Sequence, residues 1–485
     1  MTPEEEIAAL RAENAALREQ VQTLVAEVQT LRERLAKDSH NSSKPPASDG
    51  LARKTKSLRR KSGKKPGGQL GHRGHQVRLA QTPDTVVAHR PERCGTCQQA
   101  LPEDAPSWVE RRQVHELPPV RLHVTEHRLL HVRCPSCGAT TAGQGPAEVR
   151  APRHYGPRLR AVATYLVQQQ FVPYARVRDL LAEVFGATLS VGTLVNLVRQ
   201  GAERLHGVEQ EIKAALRHAL VLHHDETGLR VVGPAGTGET GAGVQWTHVT
   251  CTKDLTHDAR HAARGAAALQ AIGILPDFTG GSIHDGWTSY RHFTACRHAL
   301  CNAHHLRELT FVEEELHQAW AGQLKHVLRA MQTAVEAAQA AGSAYLDQAV
   351  RDDLVTRYEV LLGAGLAQNP LPPPPAVSTA GTRRRGRRKQ SPVRNLLDRL
   401  WTYEHEALRF LDDFAVPFDN NQAERDLRMV KVQQTISGTF RTDTGADAFC
   451  RLRTVCSTWR KQKRSVLQAL ETAFAGHPLH LQLPS

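Results

Sequence analysis

Apolar residues recur every 3.5 positions from residue 7 to residue 35. Position a of the heptad holds Ile7, Asn14, Val21, Val28 and Leu35, and position d holds Leu10, Leu17, Leu24 and Leu31. A two-in-seven stripe is narrower than a helix packing on its own body needs, and β-branched residues at a with Leu at d favour two parallel strands. Asn14 at a pairs best with its own copy and so fixes register and orientation. Opposite charges flank the seam at Glu6 with Arg11, Glu13 with Arg18 and Glu27 with Arg32. The pattern predicts a coiled-coil dimerisation helix over residues 1–38, and a homodimer or higher oligomer formed through residues 7–35.

The periodicity stops at Asp38-Ser39-His40-Asn41-Ser42-Ser43-Lys44-Pro45-Pro46, where Pro removes donors and Ser and Asn compete for them. Residues 39–80 read as a flexible basic arm. Residues 81–145 carry Cys94-Gly95-Thr96-Cys97 and Cys134-Pro135-Ser136-Cys137, with 36 residues between the pairs. Doubled CxxC spacing points to one structural zinc held by Cys94, Cys97, Cys134 and Cys137. Alternation at Leu122, Val124, Leu129 and Val132 predicts short strands between the pairs, as in a zinc ribbon.

Helical patterning dominates residues 146–210. Val177, Leu180, Leu181 and Val184 share one face, Gly186 interrupts, and Ser190 can cap a second helix whose inner face holds Val191, Leu194, Leu197 and Val198. That order predicts a helix-turn-helix region. From residue 211 the pattern mixes. A strand is expected around Leu220–Leu222, a long loop over Gly233–Gly243, a second strand over Val244–Val249 and a short strand ending at Asp285. A helix is expected over Ala259–Leu269. Residues 302–366, 392–412 and 421–475 read as helix, interrupted by a Pro-rich and basic loop at 370–389.

Composition sharpens this picture. At 485 residues the chain has room for about three domains, and 40% apolar content supports real cores. The formal charge is +14, yet residues 51–80 hold ten Lys/Arg and no acid, and residues 383–394 hold seven and no acid. The rest is therefore close to neutral. Such an uneven distribution favours a polyanionic partner. No run of 18 apolar residues suggests a transmembrane helix, and the acidic start Met1-Thr2-Pro3-Glu4-Glu5-Glu6 is unlike a signal peptide. Nine sparse cysteines fit a reducing cytoplasm rather than a disulfide scaffold. A cytoplasmic protein with no membrane partner is expected.

Two carboxylates stand where a strand is expected to end: Asp225 in Leu222-His223-His224-Asp225-Glu226-Thr227, and Asp285 in Ile283-His284-Asp285-Gly286-Trp287. In a DNA-favouring chain they point to divalent-metal phosphoryl chemistry, which needs a third acid. Within Phe418-Asp419-Asn420-Asn421-Gln422-Ala423-Glu424-Arg425, both Glu424 and Asp419 qualify on composition alone. His223 and His224 adjoin Asp225 and could support it.

Taken together, the zipper start, Asn41–Pro46, Pro66-Gly67-Gly68-Gln69-Leu70-Gly71-His72, the paired CxxC motifs, Asp225-Glu226-Thr227, Asp285–Tyr290 and Asn420-Asn421-x-x-Glu424-Arg425 with Ser437-Gly438 resemble the DDE transposases of the bacterial insertion-sequence family sixty-six. The resemblance implies a multidomain, mixed fold. It would join an N-terminal coiled coil, a zinc ribbon and a helix-turn-helix region to an α/β RNase H-like core with a helical insertion. It implies Asp225, Asp285 and Glu424 as the catalytic triad, binding two magnesium (or manganese) ions. It also implies a DNA transposase that binds double-stranded DNA at the element ends and target, cleaving it and transferring strands, with accessory proteins of the same element as further partners. Cys301-x-x-His304 resembles a Cys-x-x-His element found between the second Asp and the Glu in such enzymes, with Asn302 where the family commonly has Trp. The core would span residues 211–300 and 413–475. Its 139-residue gap between Asp285 and Glu424 implies an insertion over 301–412, carrying the basic run Arg383–Lys389. Two other classes remain: a non-catalytic DNA-binding regulator, and a structure-specific nuclease with the same core.

Overall fold

A computed structural model describes residues 2–42, 49, 67, 69, 71–72, 78–146, 149, 151–232, 242–371 and 390–482. Most of the basic arm, and the basic run at 383–389, lie outside them.

Helix α1 (Pro3–Ala36) forms as the heptads predict. Its a and d side chains stay open to solvent, with Leu10 and Leu24 each 58% exposed, so the seam is not packed on the chain's own body. Asn41 closes the helix end: its side chain donates to Ala36 O (3.0 Å) and accepts from Asp38 N (2.8 Å). The next segment is a short hairpin of β1 (His131–Arg133) and β2 (Thr140–Ala142). The strands expected around Leu122 and Val124 do not form. Those side chains, with Leu129 and Val132, are exposed, and without an apolar layer to cover them alternation alone does not hold a ladder.

Four helices follow: α2 (Pro157–Gln168), α3 (Tyr174–Phe185), α4 (Val191–Arg204) and α5 (His206–Arg217). Gly186 ends α3 in the left-handed region (φ +66°), and Ser190 caps α4 by accepting from Thr193 N (3.0 Å). Val177, Leu181, Leu194, Leu197 and Val198 are buried as expected, but Val184 and Val191 face outward.

The central sheet has five strands: β3 (Val221–Val232), β4 (Ala242–Cys251), β5 (Thr256–His261), β6 (Gly281–His284) and β7 (Arg297–Leu300). Their order is β5-β4-β3-β6-β7. The first three run antiparallel in succession, and β6 and β7 lie parallel to β3. Two expectations need correction here. Asp225 is not at a strand end, because β3 runs on to Val232. Residues 256–261 are strand, and helix begins only at α6 (Ala266–Ile272). The polar β5 is an edge strand. Its outward amides are satisfied by a helix, with Thr256 N donating to Thr458 Oγ1 (3.1 Å) and Asp258 N to Thr454 Oγ1 (2.9 Å).

Between β7 and the last part of the core lie α7 (Asn302–Glu314), α8 (Ala319–Ala340), α9 (Gln348–Gln368), α10 (Pro392–Thr402), α11 (Glu404–Ala407) and α12 (Arg409–Asp412). They share a core around Leu309, Leu324, Leu328, Met331, Tyr358 and Leu397. The chain returns through α13 (Asn421–Ser437), α14 (Asp443–Lys461) and α15 (Val466–Phe474). Leu205, Ile212 and Leu216 of the four-helix region join Leu222, Leu452, Trp459 and Phe474 in one cluster, so those helices are built onto the sheet. No helix among the described residues is long and apolar enough to cross a membrane.

Candidate active site

The side chains of β3 alternate. Leu222, His224 and Glu226 are buried on one face, and His223 and Asp225 are half-buried on the other, toward α13. Asn420, just before α13, ties helix to strand. Its amide nitrogen donates to His224 O (2.7 Å), which leaves Oδ1 to accept from His223 Nδ1 (3.0 Å). That bond defines a role for His223: it holds the helix start against the strand. Asp419 turns back on its own loop, accepting from Asn421 N (3.0 Å) and Asn421 Nδ2 (2.5 Å).

With the helix start fixed, Glu424 falls in the first turn of α13. Asp285 and Glu424 lie near enough to Asp225 to act on its charge, but among the described residues the three carboxylates do not gather ligand atoms within 4.8 Å of one another. Burial first, then Glu226, Asp285 and Glu424, push the Asp225 carboxyl up to about 7, while the Glu226 amide works in the opposite sense. Glu424 is among the acids whose charge acts on Asp225. Glu424 Oε2 meets Arg307 Nη2 at 3.4 Å, and Oε1 is buried with no hydrogen-bond donor. Cys301, His304 and Glu424 place ligand atoms within 4.8 Å of one another. Burial, then Glu424, push the Cys301 thiol up to about 12.

Asp285 follows β6 directly and accepts from Trp287 N (2.9 Å). Its turn is supported by two histidines, the buried His284 and the half-buried His298. Gly286 N donates to His284 Nδ1 (3.0 Å), so His284 Nε2 carries the proton it shares with His298 Nδ1 (3.1 Å). His298 Nε2 then donates to Phe293 O (3.1 Å). Both rings are held neutral, burial being the chief cause. Behind the site, Glu226 accepts from Tyr290 Oη (2.6 Å) and from Arg264 Nη2 (2.6 Å) and Nε (2.9 Å). Arg264 lies between the Trp246 and Trp287 rings. Burial raises the Glu226 pKa and the Tyr290 and Arg264 bonds lower it.

Sequence reasoning missed Glu226, Tyr290, Arg264, His298 and Asn420 as a supporting frame. The one available signal was the pairing of Asp225 with an adjacent acid on a strand, since two carboxylates on opposite faces each need a partner.

The thiols at 94, 97, 134 and 137 form two like halves. Gln98 N donates to Cys94 O and Gly138 N to Cys134 O. Each leading sulfur accepts amide hydrogens from the two residues that close its turn, which lowers its pKa. Among the described residues the four do not form a group of ligand atoms within 4.8 Å.

A family model described as the transposase IS66 family matches residues 153–448. A second, described as a family of unknown function (DUF6444), matches residues 2–78. No curated protein matches the chain.

Proposed function

From the chain's membership of the transposase IS66 family, whose model covers more than half of it, we infer that it binds the ends of its insertion sequence and catalyses cleavage and strand transfer with Asp225, Asp285 and Glu424. The observation that supports this is that Asp285, after β6, and Glu424, at the start of α13, both act on the charge of Asp225 in β3. The strand order, with three antiparallel strands followed by two parallel to the first, supports the RNase H-like core that the resemblance implies.

Burial, with the charges of Glu226, Asp285 and Glu424, opposes the ionisation of Asp225, and a Glu424 oxygen without a hydrogen-bond donor suits a divalent cation. Bound magnesium or manganese would activate a water or a DNA 3′-hydroxyl and stabilise the leaving oxygen. The chain's own part is positioning. Asn420 and His223 hold Glu424 in register with Asp225, the His284–His298 pair holds the Asp285 turn, and Glu226 with Arg264 and Tyr290 stiffens the strand from behind. The arm at 39–80, the zinc-bearing thiols and the α3–α4 pair supply the positive charge and shape for DNA, and α1 supplies a dimer seam. Each knuckle half carries the amide-to-sulfur bonds that favour a thiolate, which supports one structural zinc that would draw the two halves together.

The test is a strand-transfer assay on DNA carrying the element's terminal repeats. Joined products that need all three carboxylates are expected. Cleavage without joining would favour the nuclease class, and binding without cleavage the regulator class.

A further inference from the structure

We propose that Cys301, His304 and Glu424 form a binding site for one thiophilic divalent cation of the zinc class, set beside the magnesium-type carboxylate site and sharing Glu424 with it. The proposal rests on the reading of Glu424 as a site carboxylate only in that the residue is common to both.

A thiol, an imidazole and a carboxylate lie within 4.8 Å of one another, a set that suits zinc or cobalt and not magnesium, which takes hard oxygen ligands. Cys301 follows β7 and His304 lies in the first turn of α7, so the i, i+3 spacing puts both at a helix start. The sulfur already accepts an amide hydrogen from Asn420 N at 3.1 Å. Cys94 and Cys134 receive the same kind of bonds in their turns.

The other two groups point the same way. Glu424 Oε1 and His304 Nδ1 are buried without a hydrogen-bond partner, and His304 Nε2 stands 3.7 Å from Glu424 Oε1. Arg307 takes the other oxygen, Oε2. Buried polar atoms left unpaired are costly, so a ligand that satisfies them is stabilising. Three protein ligands leave a fourth position for water or a phosphate oxygen, as in catalytic rather than structural zinc sites.

Cobalt(II) alone is the probe, added to the full chain with Cys94, Cys97, Cys134 and Cys137 replaced by Ser. One equivalent should produce a near-ultraviolet sulfur-to-cobalt charge-transfer band that zinc abolishes and excess magnesium does not. Cys301→Ser should remove the band. His304→Ala should weaken cobalt binding at least tenfold with the thermal unfolding transition unchanged, which keeps the test decisive if Cys301→Ser fails to fold. No band in the four-Ser background, a band undiminished by Cys301→Ser, or unchanged cobalt affinity in His304→Ala would overturn the proposal. Asp225→Asn should abolish strand transfer and leave the band intact. The spectrum is read without DNA, so the transposase reading and the cation site can fail separately.

Discussion

The sheet with its flanking helices and the first 145 residues treat their apolar side chains in opposite ways. Leu222, Ile283, Leu452 and Trp459 are fully enclosed by other parts of the same chain. Leu10, Leu17 and Leu24 in α1, and Trp108, Val114 and Leu117 before the first hairpin, are mostly open to solvent. The core carries its own partners within one chain. The N-terminal part carries half-patterns, a heptad seam and two like thiol turns, that are not closed within the described residues. On our proposal each is completed from outside, by oligomerisation or by metal, and the energy of that completion would be folding energy.

Breaking the core site should give the largest effect. Asp225→Asn, Asp285→Asn and Glu424→Gln should each reduce strand transfer by more than the roughly 10–100-fold typical of outer-shell changes, while end-DNA binding persists. Asp419→Asn is the contrast: its loop bonds can be made by Asn, and activity should survive. Gel shift beside product analysis separates the two effects.

Breaking the N-terminal part should be visible without touching the core. Removing zinc should unfold residues 81–145 and leave the main thermal transition in place, read by calorimetry with and without chelator. Purified protein with no zinc and four freely titratable thiols would contradict this.

A smaller effect separates charge from packing at Asp225. The unfolded carboxyl loses its proton near pH 4, whereas the folded one keeps it until about 7. The native state therefore binds more protons in that window, and metal-free stability falls as pH rises through it. Asp225→Asn should match wild type near pH 4, melt at higher temperature than wild type by pH 8, and lose that advantage when magnesium is added. Tyr290→Phe should cost about 1–3 kcal/mol in denaturant unfolding, because Glu226 would lose a buried donor.

The smallest expected change is in salt dependence. Deleting residues 51–80 should reduce the slope of log K against log salt by about 0.9 for each DNA phosphate that the arm neutralises, and an unchanged slope would make the arm a linker.

Much of this was legible in the sequence where one local rule sufficed. The heptads gave α1, Ser190 and Gly186 gave the α3–α4 turn, and the Asn-Asn segment marked the start of α13. Illegible parts depended on contacts between distant segments. The strand 256–261 is polar and alanine-flanked, and it exists because Thr454 and Thr458 complete its edge from a helix some 200 residues away. Asp225 sits mid-strand because β3 pairs with β4 from His223 through Val232, well past the point where the local pattern suggests an end. The choice of Glu424 over Asp419 could not come from composition, since both stand near a helix start. The resemblance favours Glu424, and the turn that spends Asp419 on Asn421 is in keeping with that preference.

The most direct test of a single site built by Asp225, Asp285 and Glu424 is iron-directed cleavage of the protein backbone. Iron(II) replaces magnesium, and ascorbate with peroxide then cuts the chain near the bound metal. The expected result is cutting at all three segments, around residues 225, 285 and 424, suppressed by magnesium and lost in Asp225→Asn. Cutting confined to one segment, or cutting at all three that survives both excess magnesium and Asp225→Asn, would contradict a shared carboxylate site.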